Sequence, residues 1–297
     1  MDIAALDLSK FNYTKNIWLK DICTFKIGGQ IQYFFKPTNQ TELIDLIHLL
    51  DTQHIPFHLI GRASNILFAD VMKTKVVIST LSVKNISLSN GHITVDGGCS
   101  LRELCYRCAE KGWSGLEGLS GIPGTVAGAV YMNAGAYGHA ISDCLIQVTT
   151  YHRKNRQIMT TTKDNCVFDY RKSCFMNQQH IILDVQLTLN RENKDQIIRK
   201  MKAYEQQRSQ KQPLNYPSAG SVFKKPSQDF HPAYEIDTLG LKGYSIGGAA
   251  VSSKHAGFII NQNRATANDV KNLIQHLQQK ILEKTGIFLE TEIIFFD

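Results

Sequence analysis

GLSGIPGTVAGAVYMNAGAYG, residues 118–138, is the stretch from which the rest of this chain can be read. Six of its 21 residues are glycine and four are alanine, yet Val126, Val130, Tyr131 and Met132 keep it apolar. A core helix does not tolerate so much glycine, and a flexible linker does not carry so much apolar surface. Glycine is used where backbone turns through positive φ or comes within contact distance of another group. A run of small residues also lets backbone N–H groups converge on one bound anion, such as a pyrophosphate. A tight turn packed between strands accounts for the same composition, so the segment alone leaves both readings open.

Upstream, IGRASN at 60–65 supplies a second small-residue turn after an apolar strand. Neither turn is a G-x-G-x-x-G opening a βαβ unit, and no G-K-[ST] occurs, so Rossmann and Walker sites are unsupported. Residues 22–37 read as two short strands about Gly28-Gly29, and 41–54 as a helix capped by Thr41 with Leu43, Leu46, Ile47 and Leu50 on one face. ISLSNGHITVDGG at 86–98 predicts a hairpin turning at Asn90-Gly91. Further strands are expected at 145–151, 157–162 and 180–189, and helices at about 191–210 and 268–285, the latter ended by Gly286. IFLETEIIFF at 287–296 reads as one final strand with Phe288, Glu290, Glu292, Ile294 and Phe296 on one side. Domain boundaries are placed near 73 and 210, giving segments 1–73, 74–210 and 211–297.

At 43% hydrophobic and 20% charged over 297 residues, the chain can bury cores and reads as a soluble globular protein. No apolar run approaches the roughly 20 residues of a membrane span. MDIAALDLSKFNYTK lacks a basic start followed by an apolar block, so no signal peptide is read there and a cytoplasmic location is expected. Seven dispersed cysteines are not a disulfide framework. Cys105 and Cys108 form a C-x-x-C inside an amphipathic helix that places both thiols on one face with Leu101 and Leu104. Zinc would need two more ligands at matching spacing, so buried, reduced thiols are expected and no metal. The net charge of +7 is scattered, without an arginine tract or interleaved aromatics, so an anionic small substrate explains it better than nucleic acid.

Three further points carry candidate chemistry. Arg171 sits beside Tyr170 in FDYRKS, Ser221 lies on a small-residue turn in SAGSVF, and two acids end the chain in LETE. Taken singly, each has a bland reading: a surface ion pair, an ordinary Ser turn, and an edge strand with solvated acids. In order, CTFKIGG, GRASN, the Gly-rich block, YRKSCF, PSAGSVFKKP and LETE resemble the UDP-N-acetylenolpyruvoylglucosamine reductase family from about Cys23 to Glu292.

That resemblance implies an α+β flavoprotein of three domains. Segments 1–73 and 74–210 would form a vanillyl-alcohol-oxidase type FAD-binding fold, and 211–297 an α+β substrate domain. Carried over, the flavin contacts fall on Gly61, Ser64, Asn65, Gly121, Ile122, Pro123, Gly124, Gly128, Asn133, Gly135 and Ala136. The catalytic trio falls on Arg171, Ser221 and Glu292, with Lys225, Lys254 and Asn261 as weaker substrate contacts. The implied reaction is NADPH-dependent: hydride passes through FAD to C3 of an enolpyruvyl group on a UDP-sugar, and Ser221 protonates C2. The chain departs from the family pattern at Arg62-Ala63, where glycines are expected, and at Lys225, where many relatives carry Asn. The 50-residue spacing from Arg171 to Ser221 implies the shorter subclass, which lacks a tyrosine-bearing loop. Two alternatives stay open at this point. One is an FAD oxidase of the same fold with a flavin tether, for which His139 is the nearby residue; the other is a basic nucleotide- or RNA-binding protein.

Overall fold

The structure, a computed structural model, describes residues 3–177 and 179–297. Met1 and Asp2, which open the N-terminal segment read above, and Gln178 lie outside the described residues. After a 3-10 turn at Ile3–Ala5 come β1 (Tyr13–Trp18), α1 (Leu19–Ile22), β2 (Gln30–Phe35), α2 (Gln40–Thr52) and β3 (Phe57–Ile60). It continues through β4 (Ile66–Phe68), β5 (Val76–Ser79), β6 (Ile86–Ser89), β7 (His92–Asp96) and α3 (Leu101–Glu110). The Gly-rich segment contains α4 (Val126–Tyr131) and leads to α5 (Ile141–Cys144), β8 (Leu145–His152), β9 (Gln157–Thr162), β10 (His180–Thr188) and α6 (Lys194–Lys211). Last come β11 (Ser218–Ser221), α7 (Pro232–Thr238), β12 (Ser245–Ile246), β13 (Ala249–Val251), β14 (Phe258–Asn261), α8 (Ala267–Thr285) and β15 (Ile294–Phe296).

Two compact units result. One comprises Met1–Thr14, Phe34–Gly61 and Val76–Gln207; the other comprises Lys15–Tyr33, Arg62–Lys75 and Arg208–Asp297.

The first unit is built on an antiparallel sheet in the order β9-β8-β10-β7-β6. Val148 faces Val185 and Val185 faces Val95, so period-two alternation lines up three fully buried valines across the central strands. Leu101, Leu104, Cys105 and Cys108 of α3 join the same core as Val126 and Val130 of α4. Both thiols are therefore inside, as the helical reading predicts. Burial pushes Cys105 well above the usual thiol range and Cys108 up to about 12. The hairpin turns at Asn90 (φ 47°) and Gly91 (φ 82°), as its sequence predicts. The cap of α2 differs from expectation. It is Asn39, whose side chain accepts from the Glu42 N–H at 2.9 Å, and Glu42 in turn accepts from the Thr38 N–H at 2.7 Å. The four predicted apolar positions of α2 are buried.

The second unit holds an antiparallel sheet in the order β11-β14-β13-β12. Helix α8 packs on β12 and β13, burying Val270, Leu273, Ile274, Leu277 and Ile281. Thr266 and Asp269 cap it reciprocally, and Gly286 ends it at φ 72°. Three expectations are corrected here. Within 22–37, only Gln30–Phe35 is strand, because Lys26 (φ 57°) and Gly28 (φ 150°) break extended backbone before it. Residues 218–221 form a strand rather than a turn. The final strand is limited to Ile294–Phe296, where it runs parallel to the three-residue β4; upstream, Thr291 makes only an isolated bridge to Phe223. Leu289 and Ile293 fill the interior, which leaves Phe288 and Glu290 on the solvent side. Among the described residues, no helix is long and apolar enough to cross a membrane.

Candidate active site

In the first unit the two glycine-bearing turns meet. A Cβ at Gly61, just after β3, would stand 2.4 Å from the Thr125 hydroxyl, so only glycine allows this approach. Thr125 caps α4, its hydroxyl accepting from the Gly128 N–H at 3.2 Å. Gly121, Ile122, Pro123 and Gly124 form the turn before it, closed by Ile122 N–H to Leu119 O and Gly124 N–H to Ile122 O, both at 3.0 Å. Val126 and Ala127 donate to Cys99 O and Gly97 O. These four N–H groups are spent on the fold, so the convergence of N–H groups expected from the composition does not include them.

Further along, Gly135 and Ala136 pair with Ala140 and His139 in a two-residue hairpin. Asn133, at φ 41°, donates through Nδ2 to Asp169 O at 3.0 Å. Arg171, at φ 52°, lies over the Tyr170 ring and donates to Gly135 O at 3.4 Å. Ser173 fastens the same loop to Tyr131 O at 2.7 Å. Arg171 is thus brought against the NAGAYG turn, although the two are some 35 residues apart in sequence. The His139 ring meets Tyr204 of α6, which also stacks on Tyr137 at 4.6 Å.

Ser221 and Glu292 belong to the second unit, on neighbouring segments. The Glu292 N–H donates to Val222 O at 2.7 Å, and the Lys224 N–H donates to Glu290 O at 2.9 Å. Asn65 reaches the same segment: its Nδ2 donates to Glu292 O at 3.0 Å and its own carbonyl accepts from the Ile294 N–H at 3.0 Å. Ser64, half-buried, precedes it. Lys225 is exposed. Lys254 donates to Ser209 O at 2.6 Å in the last turn of α6, and Asn261 donates to Phe25 O at 3.2 Å while accepting from the Ala265 N–H at 2.8 Å. Lys254 and Asn261 therefore have framework duties within their unit. A cleft of about 470 Å³ beside Asn261 is lined by Trp18, Lys20, Lys26, Asp70 and Arg264. Asp70 there accepts from the first N–H groups of α8, Lys26 donates to Asp21 O, and Lys20 sits over the Trp18 ring, so these three serve the fold.

Residues 31–160 match the family described as FAD binding domain, and residues 212–296 match the UDP-N-acetylenolpyruvoylglucosamine reductase C-terminal domain. The chain is 42% identical to the UDP-N-acetylenolpyruvoylglucosamine reductase of Fervidobacterium nodosum, over 93% of this chain and 89% of that one. The chain belongs to the UDP-N-acetylenolpyruvoylglucosamine reductase family. The relative from Caldicellulosiruptor saccharolyticus is 39% identical over 97% of this chain and 94% of its own. The crystal structure of the reductase from Thermus caldophilus superposes with a TM-score of 0.81 at 30% identity, covering 97% of this chain and all of that one. By family the chain is an FAD-dependent oxidoreductase with an α+β flavoprotein fold.

The Gly-rich segment fits such a cofactor. Ser120 Oγ and Asn133 Oδ1 are buried there without a hydrogen-bond partner. A buried polar atom left unmade costs roughly 1–3 kcal/mol, and a flavin nucleotide offers both acceptors and donors to relieve it. Sequence reasoning passed over two residues here, Ser120 and Thr125. Thr125 carried a usable signal, since a Thr before an apolar helical run is a common N-cap.

Proposed function

We propose that this protein reduces the enolpyruvyl group of UDP-N-acetylglucosamine enolpyruvate to give UDP-N-acetylmuramate, with NADPH as hydride source, in cytoplasmic peptidoglycan precursor synthesis. The pairing of the Ser221 and Glu292 segments, together with the reductase relatives, carries this reading. Residues 1–73 and 74–210 would hold the cofactor and 211–297 the substrate, with neither nucleic acid nor membrane insertion involved. The protein would belong to the shorter subclass, which lacks the tyrosine-bearing loop.

FAD, when bound, supplies the two-electron chemistry that takes hydride from NADPH and delivers it to C3 of the substrate. Gly61, Ser64, Asn65, Gly121, Ile122, Pro123, Gly124, Gly128, Asn133, Gly135 and Ala136 are the contacts we propose for it, and the orphaned Ser120 hydroxyl is added to them. As C3 gains hydride, negative charge develops at C2 and on the adjoining carboxylate. Arg171, permanently cationic and forked, would stabilise that charge. The Ser221 hydroxyl would donate its proton to C2, which completes addition of one hydride and one proton across the double bond. Glu292, if protonated or linked through a water, would hold the carboxylate end, and solvent would return the proton that Ser221 gives up. Lys225 adds positive charge suited to a diphosphate. Lys254 and Asn261 would act on the substrate through the segments that they brace.

Anaerobic stopped-flow absorbance separates the two half-reactions. Ser221→Ala should leave flavin bleaching by NADPH near wild type and slow reoxidation by the enolpyruvyl substrate by roughly 10²–10⁴. Equal loss in both halves would remove Ser221 from proton delivery. When the reduced protein is then mixed with aerated buffer, rapid reoxidation by oxygen, with no response to the enolpyruvyl sugar, would instead favour an oxidase.

A further inference from the structure

The strand that carries Ser221 is irregular where the proposed chemistry needs it. Ser218 pairs with Ile260 and Ser221 with Phe258, so three steps along β11 face two along β14. The extra residue makes a β-bulge, with Gly220 at φ 81°. Regular pairing resumes at both ends: the Asn261 N–H donates to Pro217 O and the Val222 N–H to Gly257 O, each at 2.9 Å. Inside the bulge, the Ser218 carbonyl accepts from the hydroxyl of Thr24 at 2.8 Å, across 194 residues of sequence.

Thr24 is itself firmly held. The Cys23 N–H donates to Leu19 O at 3.1 Å, the Cys23 thiol to Ile27 O at 3.2 Å, and Asn261 donates to Phe25 O at 3.2 Å. The Thr24 hydroxyl is half-buried, with Ala63 O as a longer second acceptor at 3.5 Å. A bulge and a regular ladder differ by one residue, and a one-residue slip turns the following side chains to the opposite face. Whatever holds the Ser218 carbonyl in the bulged arrangement therefore also holds the direction in which Ser221 projects.

We propose that Thr24 is a positioning residue for Ser221, acting through its hydrogen bond to the Ser218 carbonyl. This rests on the role given to Ser221 above. Thr24→Val replaces the hydroxyl by a methyl of the same shape and leaves the carbonyl without its donor. In the flavin-loaded enzyme it should slow substrate-driven reoxidation about tenfold, the scale of one well-made buried hydrogen bond, and leave reduction by NADPH unchanged. Thr24→Ser, which keeps the hydroxyl, should restore most of the rate. In a Ser221→Ala background, Thr24→Val should add no further loss, because the residue it positions is gone.

Each outcome decides something. If Ser221→Ala is slow and Thr24→Val is at wild-type rate, the positioning role is overturned and the serine assignment stands. If Ser221→Ala is itself at wild-type rate, the serine assignment fails, whatever Thr24 does. Additive losses in the double variant, or equal slowing of both half-reactions by Thr24→Val, would make Thr24 a general packing residue and overturn the proposal. Should Thr24→Val lose its flavin, Thr24→Ala carries the same comparison; loss in both would assign Thr24 to folding and overturn it as well.

Discussion

At Gly118 a Cβ would stand 2.4 Å from the Ala136 carbonyl oxygen and 2.8 Å from the His139 ring, whereas at Gly220 it would meet nothing within 4 Å. Gly118 opens the glycine-rich segment of the first unit, and Gly220 forms the bulge beside Ser221 in the second. In the first region glycine makes room, allowing two stretches of main chain to lie against each other. In the second the space is free, and glycine is needed only for its φ of 81°. The two regions should therefore fail differently when a methyl group is added. One should lose its shape, and the other should lose the aim of one side chain.

The largest effect is expected at Gly118. Gly118→Ala forces the Ala136 carbonyl to move, and backbone cannot swing aside as a flexible side chain can. Overpacking of this kind costs roughly 1–3 kcal/mol, occasionally more. Because Ala136 and Gly135 belong to the turn proposed to contact the cofactor, and Arg171 donates to Gly135 O, flavin retention should fall along with stability. Flavin absorbance after gel filtration, with a urea titration on the same sample, measures both. Full retention at unchanged stability would show that the segment tolerates added bulk, and the contrast with Gly220 would disappear.

Gly220→Ala should be milder and more selective. A left-handed residue with a Cβ costs about 1–2 kcal/mol, with no clash to add to it. Flavin content should stay near wild type, reduction by NADPH should be unaffected, and the serine-dependent half-reaction should slow. Gly220→Asn sharpens the comparison, because asparagine enters the left-handed region more readily than alanine and should recover part of the rate. If alanine and asparagine behave alike, φ at this position is not what aims Ser221.

The same division separates what could be read along the chain from what could not. The hairpin at Asn90-Gly91, helix α8 with its Gly286 stop and the buried face of α3 each follow from residues within about one turn of one another. The Gly-rich segment announces itself by composition, although the use of the Val126 and Ala127 N–H groups does not, because their acceptors at Cys99 and Gly97 lie more than 20 residues upstream. The Ser218–Ser221 bulge reads as a turn in the sequence because its small residues fit both, and its register against β14 tells them apart. The final strand reads too long in the sequence because alternation continues through LETE, while among the described residues its strand partner runs along Ile66–Phe68. Arg171, Ser221 and Glu292 were legible through family resemblance alone. Nothing local in YRKS, SAGS or LETE distinguishes them from surface residues, and the contacts that organise them come from Gly135, Thr24 and Asn65.

The smallest effect is expected at Glu290, and it bears on which of two acids matters. The Glu290 side chain is 74% exposed and pairs with Lys224 at 3.3 Å, a surface ion pair of the sort worth about 0–1 kcal/mol and weakened by salt. Glu292, two residues on, is only half-exposed, and its main chain is held on both sides: its N–H by Val222 O and its carbonyl by Asn65. A side chain so mounted is fixed in direction by main chain held on both sides, whereas the Glu290 main chain is held at its carbonyl by the Lys224 N–H and its carboxylate meets the flexible Lys224 ammonium in solvent. Glu290→Gln should thus leave both half-reactions within about twofold of wild type, and any shift in urea midpoint should shrink in high salt. Glu292→Gln, by contrast, should slow substrate-driven reoxidation while NADPH still bleaches the flavin. The reverse order, with Glu290→Gln the slower, would transfer the acid role to the exposed carboxylate. It would also show that the main-chain clamp around Glu292 serves only to join β4 to β15.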